Sequence, residues 1–150
     1  MRLEEEIKQT SFKNEVHKVN LNVMFTGGWL NARTCHALKP YKLSHQQYNV
    51  LRILRGAPEH SANLCEIQVR MLDRMSNATR LVEKLRLKGL LTRELCPDNR
   101  RKVDIRITPA GLKLLGKIDE KLNRMHAESS RNLTEEEARN LNALLDKMRG

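Results

Sequence analysis

Asn77, Arg80, Lys84 and Lys88 follow one another at spacings of three, four and four residues. That spacing sets all four on one face of a helix. An amide and a guanidinium at the front of such a face, with ammonium groups behind, suit a rod entering a major groove. There Arg bonds guanine bidentately and Asn bonds adenine. Ser76 and Thr79 are small donors able to reach bases or phosphates. A second cluster, Arg100-Arg101-Lys102, places three cations in succession. A solvated turn needs no such run, whereas a tip laid over a phosphate backbone or into a narrow minor groove does. Asp98, two residues before Arg100, is placed to hold that guanidinium by a charge-assisted bond. A polar stripe alone is the ordinary outer face of a surface helix; its coupling to the cationic tip favours the nucleic-acid reading.

The elements that must carry these groups are well punctuated. Ser44-His45-Gln46-Gln47 is a capping box, after which Tyr48, Leu51 and Leu54 share a face and Gly56 closes the helix. Asn63-Leu64-Cys65-Glu66 is a looser cap opening a short helix with Leu64, Ile67 and Met71 inward. A turn at Leu72-Asp73-Arg74 leads to a third helix from about Met75 to Lys88, with Leu81, Val82 and Leu85 inward and Gly89 as its left-handed stop. Leu90 to Leu95 reads as a strand. Val103, Ile105 and Ile107 alternate with Lys102, Asp104 and Arg106 as a second, giving a two-stranded hairpin. Helix, short helix, turn, helix and hairpin together are the plan of a winged helix-turn-helix.

The flanks read as helices. Phe12, Val16, Val19 and Val23 form one apolar stripe, which Gly27-Gly28 is expected to interrupt or kink before the helix resumes through Trp29 and His36. Trp29 is expected as a core anchor. Thr108-Pro109 caps a helix carrying Leu112, Leu115, Leu122 and Met125. Thr134 to Glu137 is a further capping box, opening a last helix with Ala138, Leu141, Leu145 and Met148 inward.

Charge position agrees with this division. The 150 residues carry 28 Lys+Arg against 18 Asp+Glu, a net charge of +10. Residues 42–106 hold 14 of the basic and 7 of the acidic side chains. A basic segment between near-neutral flanks points to a polyanion partner, with nucleic acid the leading candidate; charge alone favours a solubilising surface. No run approaches the length of a membrane span, and residues 1–30 lack a signal-peptide pattern, so a cytoplasmic protein with no membrane partner is expected.

Leu43 to Gly111 resembles the DNA-binding lobe of the MarR family of bacterial transcription regulators. The resemblance is carried by Leu43-Ser44-His45-Gln46-Gln47-Tyr48-Asn49-Val50-Leu51, by Ser76-Asn77-Ala78-Thr79-Arg80-Leu81-Val82-Glu83-Lys84-Leu85, and by Lys88-Gly89-Leu90-Leu91-Thr92-Arg93. It continues through Asp98-Asn99-Arg100-Arg101-Lys102 and Ile107-Thr108-Pro109-Ala110-Gly111. It implies a mainly α chain with a small β-hairpin: dimerisation helices in 1–40, a winged helix-turn-helix lobe in 41–108 and further dimerisation helices in 109–150. It implies a homodimer that binds double-stranded DNA at a pseudo-palindromic operator and represses transcription. The implied DNA contacts are Arg74, Ser76, Asn77, Thr79, Arg80 and Lys84, with Asp98, Arg100, Arg101 and Lys102 in the wing. Many members of the family release DNA when a small aromatic or phenolic acid binds between the dimer helices and the DNA lobe, so such an effector is an expected partner.

Other classes are less well served. A winged-helix scaffold whose basic face meets an acidic protein is the alternative from a different class. There is no Ser-His-Asp order with a nucleophile elbow, no zinc set and no P-loop, so no enzymatic activity, cofactor or metal is expected. Cys35, Cys65 and Cys96 form no Cys-x-x-Cys pair. Cys35 and Cys65 are expected as buried, inert thiols, and Cys96 stands beside Pro97 near the wing.

Overall fold

The computed structural model describes residues 1–96 and 99–150, with the backbone alone at 96, 99–102, 129 and 130. The chain runs α1 (Leu3–Glu6), α2 (Glu15–Leu38), α3 (His45–Arg55), β1 (Ser61–Ala62), α4 (Leu64–Arg70), α5 (Ala78–Leu87), β2 (Leu91–Cys96), β3 (Asn99–Ile107), α6 (Pro109–Ser130) and α7 (Glu135–Arg149).

The helices start where a side-chain oxygen meets amides that have no partner in the preceding turn. Ser44 Oγ accepts the Gln47 amide and Gln47 Oε1 accepts the Ser44 amide, both at 3.1 Å. Asn63 and Glu66 do the same at 3.0 and 2.9 Å. Thr134 and Glu137 repeat the device at α7, and Thr108 Oγ1 accepts the Gly111 amide at α6.

α2 is continuous through Gly27-Gly28, so the expected interruption is absent. Neither glycine takes a positive φ. Each costs roughly 1 kcal/mol relative to alanine, but helix propagation from both sides carries a short weak stretch. The interruption falls earlier. Lys8 takes φ 53°, and Asn14 Oδ1 caps α2 by accepting the His17 amide at 2.8 Å. Phe12 therefore lies ahead of α2, its ring 6.2 Å from that of His17.

One apolar cluster joins the elements. Leu38 of α2, Leu51 and Leu54 of α3, Ile67 of α4, Leu85 of α5 and Leu115 and Ile118 of α6 have no exposed surface. The sheet has three strands in the order β1-β3-β2, all antiparallel. The sequence reading of a two-stranded hairpin missed β1, whose Ser61 and Ala62 pair with Arg106 and Ile105. Two residues are too few to show a period of two. Ile105 and Ile107 are buried and Arg106 is exposed, as alternation requires. Gly89 takes φ +69° at the stop of α5. Gly111 lies against the residue before β2 and the end of β3: a Cβ there would overlap the Leu90 carbonyl oxygen and stand 2.7 Å from Ile107 Cγ1.

Three expectations about burial fail within the single chain. Ala138 and Leu145 are only half-buried, Leu141 and Met148 are exposed, and α7 has no buried residue. Trp29 is 44% exposed and is not a core anchor; its ring is covered by the Arg33 guanidinium at 4.9 Å. Cys35 and Cys65 are exposed rather than buried. Each lies two residues, about 200° of helix, from an inward-facing neighbour, Ala37 or Ile67.

Candidate nucleic-acid interface

The turn between α4 and α5 is fixed by polar side chains from three elements. Asn49 Oδ1 of α3 accepts the Leu72 amide at 2.9 Å. Asp73 accepts the Met75 amide at 3.1 Å and the Ser76 hydroxyl at 2.8 Å. That hydroxyl is the main reason the Asp73 carboxyl is held below the usual carboxylate range, with the Met75 amide and Gln46 adding to it. Gln68 of α4 reaches across the turn. Its Nε2 donates to the Arg74 and Ser76 carbonyls at 2.9 and 3.0 Å, and its Oε1 accepts the Ala78 amide at 3.3 Å. Gln68, Asn49 and Asp73 were not singled out from the sequence. Gln68 and Asn49 work at separations of 6 to 23 residues, where no local pattern signals them.

α5 begins at Ala78, three residues later than the expected Met75. Asn77 is its N-cap, with Oδ1 accepting the Arg80 amide at 3.0 Å. A bidentate grip on adenine uses both the oxygen and the nitrogen of an asparagine amide, and this oxygen is already engaged. Ser76 donates its hydroxyl to Asp73. Both residues therefore hold the start of the helix.

Beyond the cap the two faces separate as the spacing predicts. Ala78, Val82 and Leu85 are buried and Leu81 is half-buried. Thr79, Arg80 and Lys84 are exposed, as is Arg74 on the turn. Among the described residues, none of these four side chains makes a hydrogen bond or ion pair. Lys88 departs from the stripe: its Nζ donates to the Lys42 carbonyl and lies 3.4 Å from Gln47 Oε1. Glu83 and Arg86 pair with each other through two bonds, at 2.8 and 3.0 Å, on the solvent side of α5. That guanidinium keeps the Glu83 carboxyl below its ordinary range.

The hairpin stands against α5. β2 and β3 pair from Leu91 with Ile107 to Leu95 with Val103, and the register shifts between Leu95 and Cys96. Arg100, Arg101 and Lys102 lie on the β3 backbone. Their side chains, and Asp98 altogether, fall outside the described residues. Arg93 on β2 adds an exposed cation. The result is a helix with an exposed, unpaired cationic edge beside a basic hairpin. Such an edge can neutralise phosphates and reach base edges. Among the described residues no group of three or more His, Cys, Asp or Glu is placed to hold a metal ion, and no helix is long and apolar enough to cross a membrane.

Comparison with known proteins agrees with this geometry. The MarR family model matches residues 43–103. The HTH-type transcriptional repressor IacR of Pseudomonas putida is 28% identical over 109 residues, which is 73% of this chain and 64% of that protein. The chain thus spans less than two thirds of that curated relative. A MarR mutant from E. coli complexed with operator DNA superposes with a TM-score of 0.79 at 23% identity, covering 93% of this chain and 99% of the other. A MarR transcription factor from Planctomyces limnophilus is 31% identical, with a TM-score of 0.66 and coverage of 91% and 98%. A capped α5 behind a side-chain-pinned turn, a three-stranded wing and this identity along nearly all of a solved relative place the chain in the MarR family, whose members are transcription regulators.

Proposed function

We propose that the protein is a cytoplasmic repressor that binds double-stranded DNA as a homodimer at a pseudo-palindromic operator. The observation that carries this reading is the common exposure of Thr79, Arg80 and Lys84 on α5, with Arg74 on the turn before it, next to the hairpin that bears Arg100, Arg101 and Lys102. α5 enters the major groove, Arg80 reads a base edge, and Thr79, Lys84 and Arg74 set register on phosphates. Ser76 and Asn77 act by holding the leading end of the helix. The wing cations, with Asp98 orienting Arg100, lie along the flanking backbone or minor groove.

Exposed apolar side chains outside the lobe support the homodimer. Val16, Val19, Met24, Trp29 and Leu30 of α2 and Leu141, Leu144 and Met148 of α7 are each more than 40% exposed. A second copy is the simplest cover for such surface. On this reading residues 1–40 and 109–150 form the dimer body and 41–108 the DNA lobe. A cavity of about 420 Å³ between them is lined by Tyr48, Arg52, Arg70, Leu122 and His126, and also touches Leu72 of the turn. Two guanidiniums beside a phenol and apolar walls suit a small aromatic or phenolic acid. An occupant pressing on Leu72 would reach the turn that positions α5.

The test is selection of duplexes from a random-sequence pool, followed by titration of the enriched duplex. Enrichment of a palindrome bound by two chains, with affinity falling steeply as salt rises, is the expected result. Equal affinity for enriched and random duplexes would reject the reading and favour an acidic protein partner for the same face.

A further inference from the structure

The turn before α5 presents an almost fully exposed apolar side chain. Met75 is 95% exposed, and it stands two residues ahead of the N-cap. Its backbone is held on both sides: its own amide donates to Asp73 Oδ1, and Gln68 Nε2 bonds the carbonyls of Arg74 and Ser76. The side chain is therefore presented from a fixed platform. The two polar residues that follow are engaged within the protein, Ser76 on Asp73 and Asn77 on the Arg80 amide. Between the exposed Arg74 guanidinium and the exposed Thr79 hydroxyl, the leading end of α5 thus presents an unbranched thioether.

Only one apolar group lines the major groove of DNA, the 5-methyl of thymine. A methionine adapts its shape to such a small target through three rotatable bonds. We propose that Met75 is a specificity-determining residue that packs on a thymine methyl in each half-site, so that the protein distinguishes thymine there from the other pyrimidine of like hydrogen-bonding pattern, uracil. This rests on the DNA-binding reading above.

The experiment uses the full chain and the duplex it enriches from a random pool. Each thymine of the half-site is replaced in turn by deoxyuridine, which removes the methyl and nothing else. For the unaltered protein, one thymine per half-site should show a loss of about fourfold, the effect of exposing one methyl group. Met75→Ala and Met75→Gln should bind the thymine and uracil duplexes equally, while Met75→Leu keeps the preference. All three should keep the salt dependence of the unaltered protein, since no phosphate contact changes. The inference is overturned if Met75→Ala retains the thymine preference, or if no thymine in the enriched site is sensitive to loss of its methyl. If no duplex is enriched, the DNA-binding reading fails and takes this inference with it.

Discussion

Arg55 and Asp119 lie 64 residues apart in the chain and form an ion pair that fastens α3 to α6. The Tyr48 hydroxyl donates to the same carboxylate at 3.5 Å, and Arg52 stacks its guanidinium over the Tyr48 ring at 5.9 Å. Burial raises the Tyr48 phenol above its ordinary range. This clasp sits where the winged-helix lobe meets the long flanking helix.

Asp119→Ala should therefore lower stability by about 1 kcal/mol, since both partners are roughly one-third exposed and solvent weakens the pair. Urea denaturation of the two single variants and of the double variant with Arg55→Ala gives the coupling between them. Additive losses would mean that the two side chains do not interact in solution.

Asn77→Ala should cost about 1 kcal/mol through loss of the α5 cap. Asn77→Ser keeps a capping oxygen and should recover most of it. If Asn77 acts only as a cap, Asn77→Ser also keeps operator affinity in a titration. A large loss of affinity with unchanged stability would assign the amide nitrogen to a base.

Arg80→Ala and Lys102→Ala should separate base reading from phosphate binding. Arg80→Ala is expected to weaken the enriched duplex by about 1–3 kcal/mol and to relax preference at one position. Lys102→Ala should weaken enriched and random duplexes alike and reduce the salt slope by about one. Binding isotherms at several salt concentrations distinguish them.

Gly111→Ala places a methyl against the Leu90 carbonyl and the Ile107 side chain. Both belong to packed backbone or core, so the clash has to be relieved by moving β2 or α6. A loss of more than about 2 kcal/mol is expected in thermal or chemical unfolding. By contrast Gly116→Ala, where a Cβ meets nothing within 4 Å, should be neutral or slightly stabilising.

Leu144→Glu puts a charge on an α7 residue that is 64% exposed in the single chain. A monomer would tolerate it. If α7 packs in a homodimer, light scattering should show dissociation and operator affinity should fall with it.

The sequence was most informative where physics is local. The capping pairs Ser44–Gln47, Asn63–Glu66 and Thr134–Glu137 close over three residues, and each one forms. The alternation of Ile105, Arg106 and Ile107 likewise gave the correct face. Where contacts are distant, pattern was silent: Gln68 and Asn49 organise the turn through bonds that no spacing announces. Apolar periodicity in α2 and α7 marks a stripe but not what covers it, and Leu141, Met148 and Trp29 are exposed within one chain. Asn77 shows that one side chain can suit two roles. Its type suits a base, and its oxygen is the local cap for the helix that follows.

The bond from Lys88 Nζ to the Lys42 carbonyl, made in a region that also contains Gln47, anchors the rear of α5 to the start of α3. The front of α5 is anchored by Gln68 and Asn77. A helix clamped at both ends cannot be prised away singly without losing polar contacts at one end or the other. In the proposed homodimer, release of DNA would then swing the whole lobe like one leg of a pair of calipers. The setting to measure is the gap between the two legs, about 34 Å for neighbouring turns of a duplex.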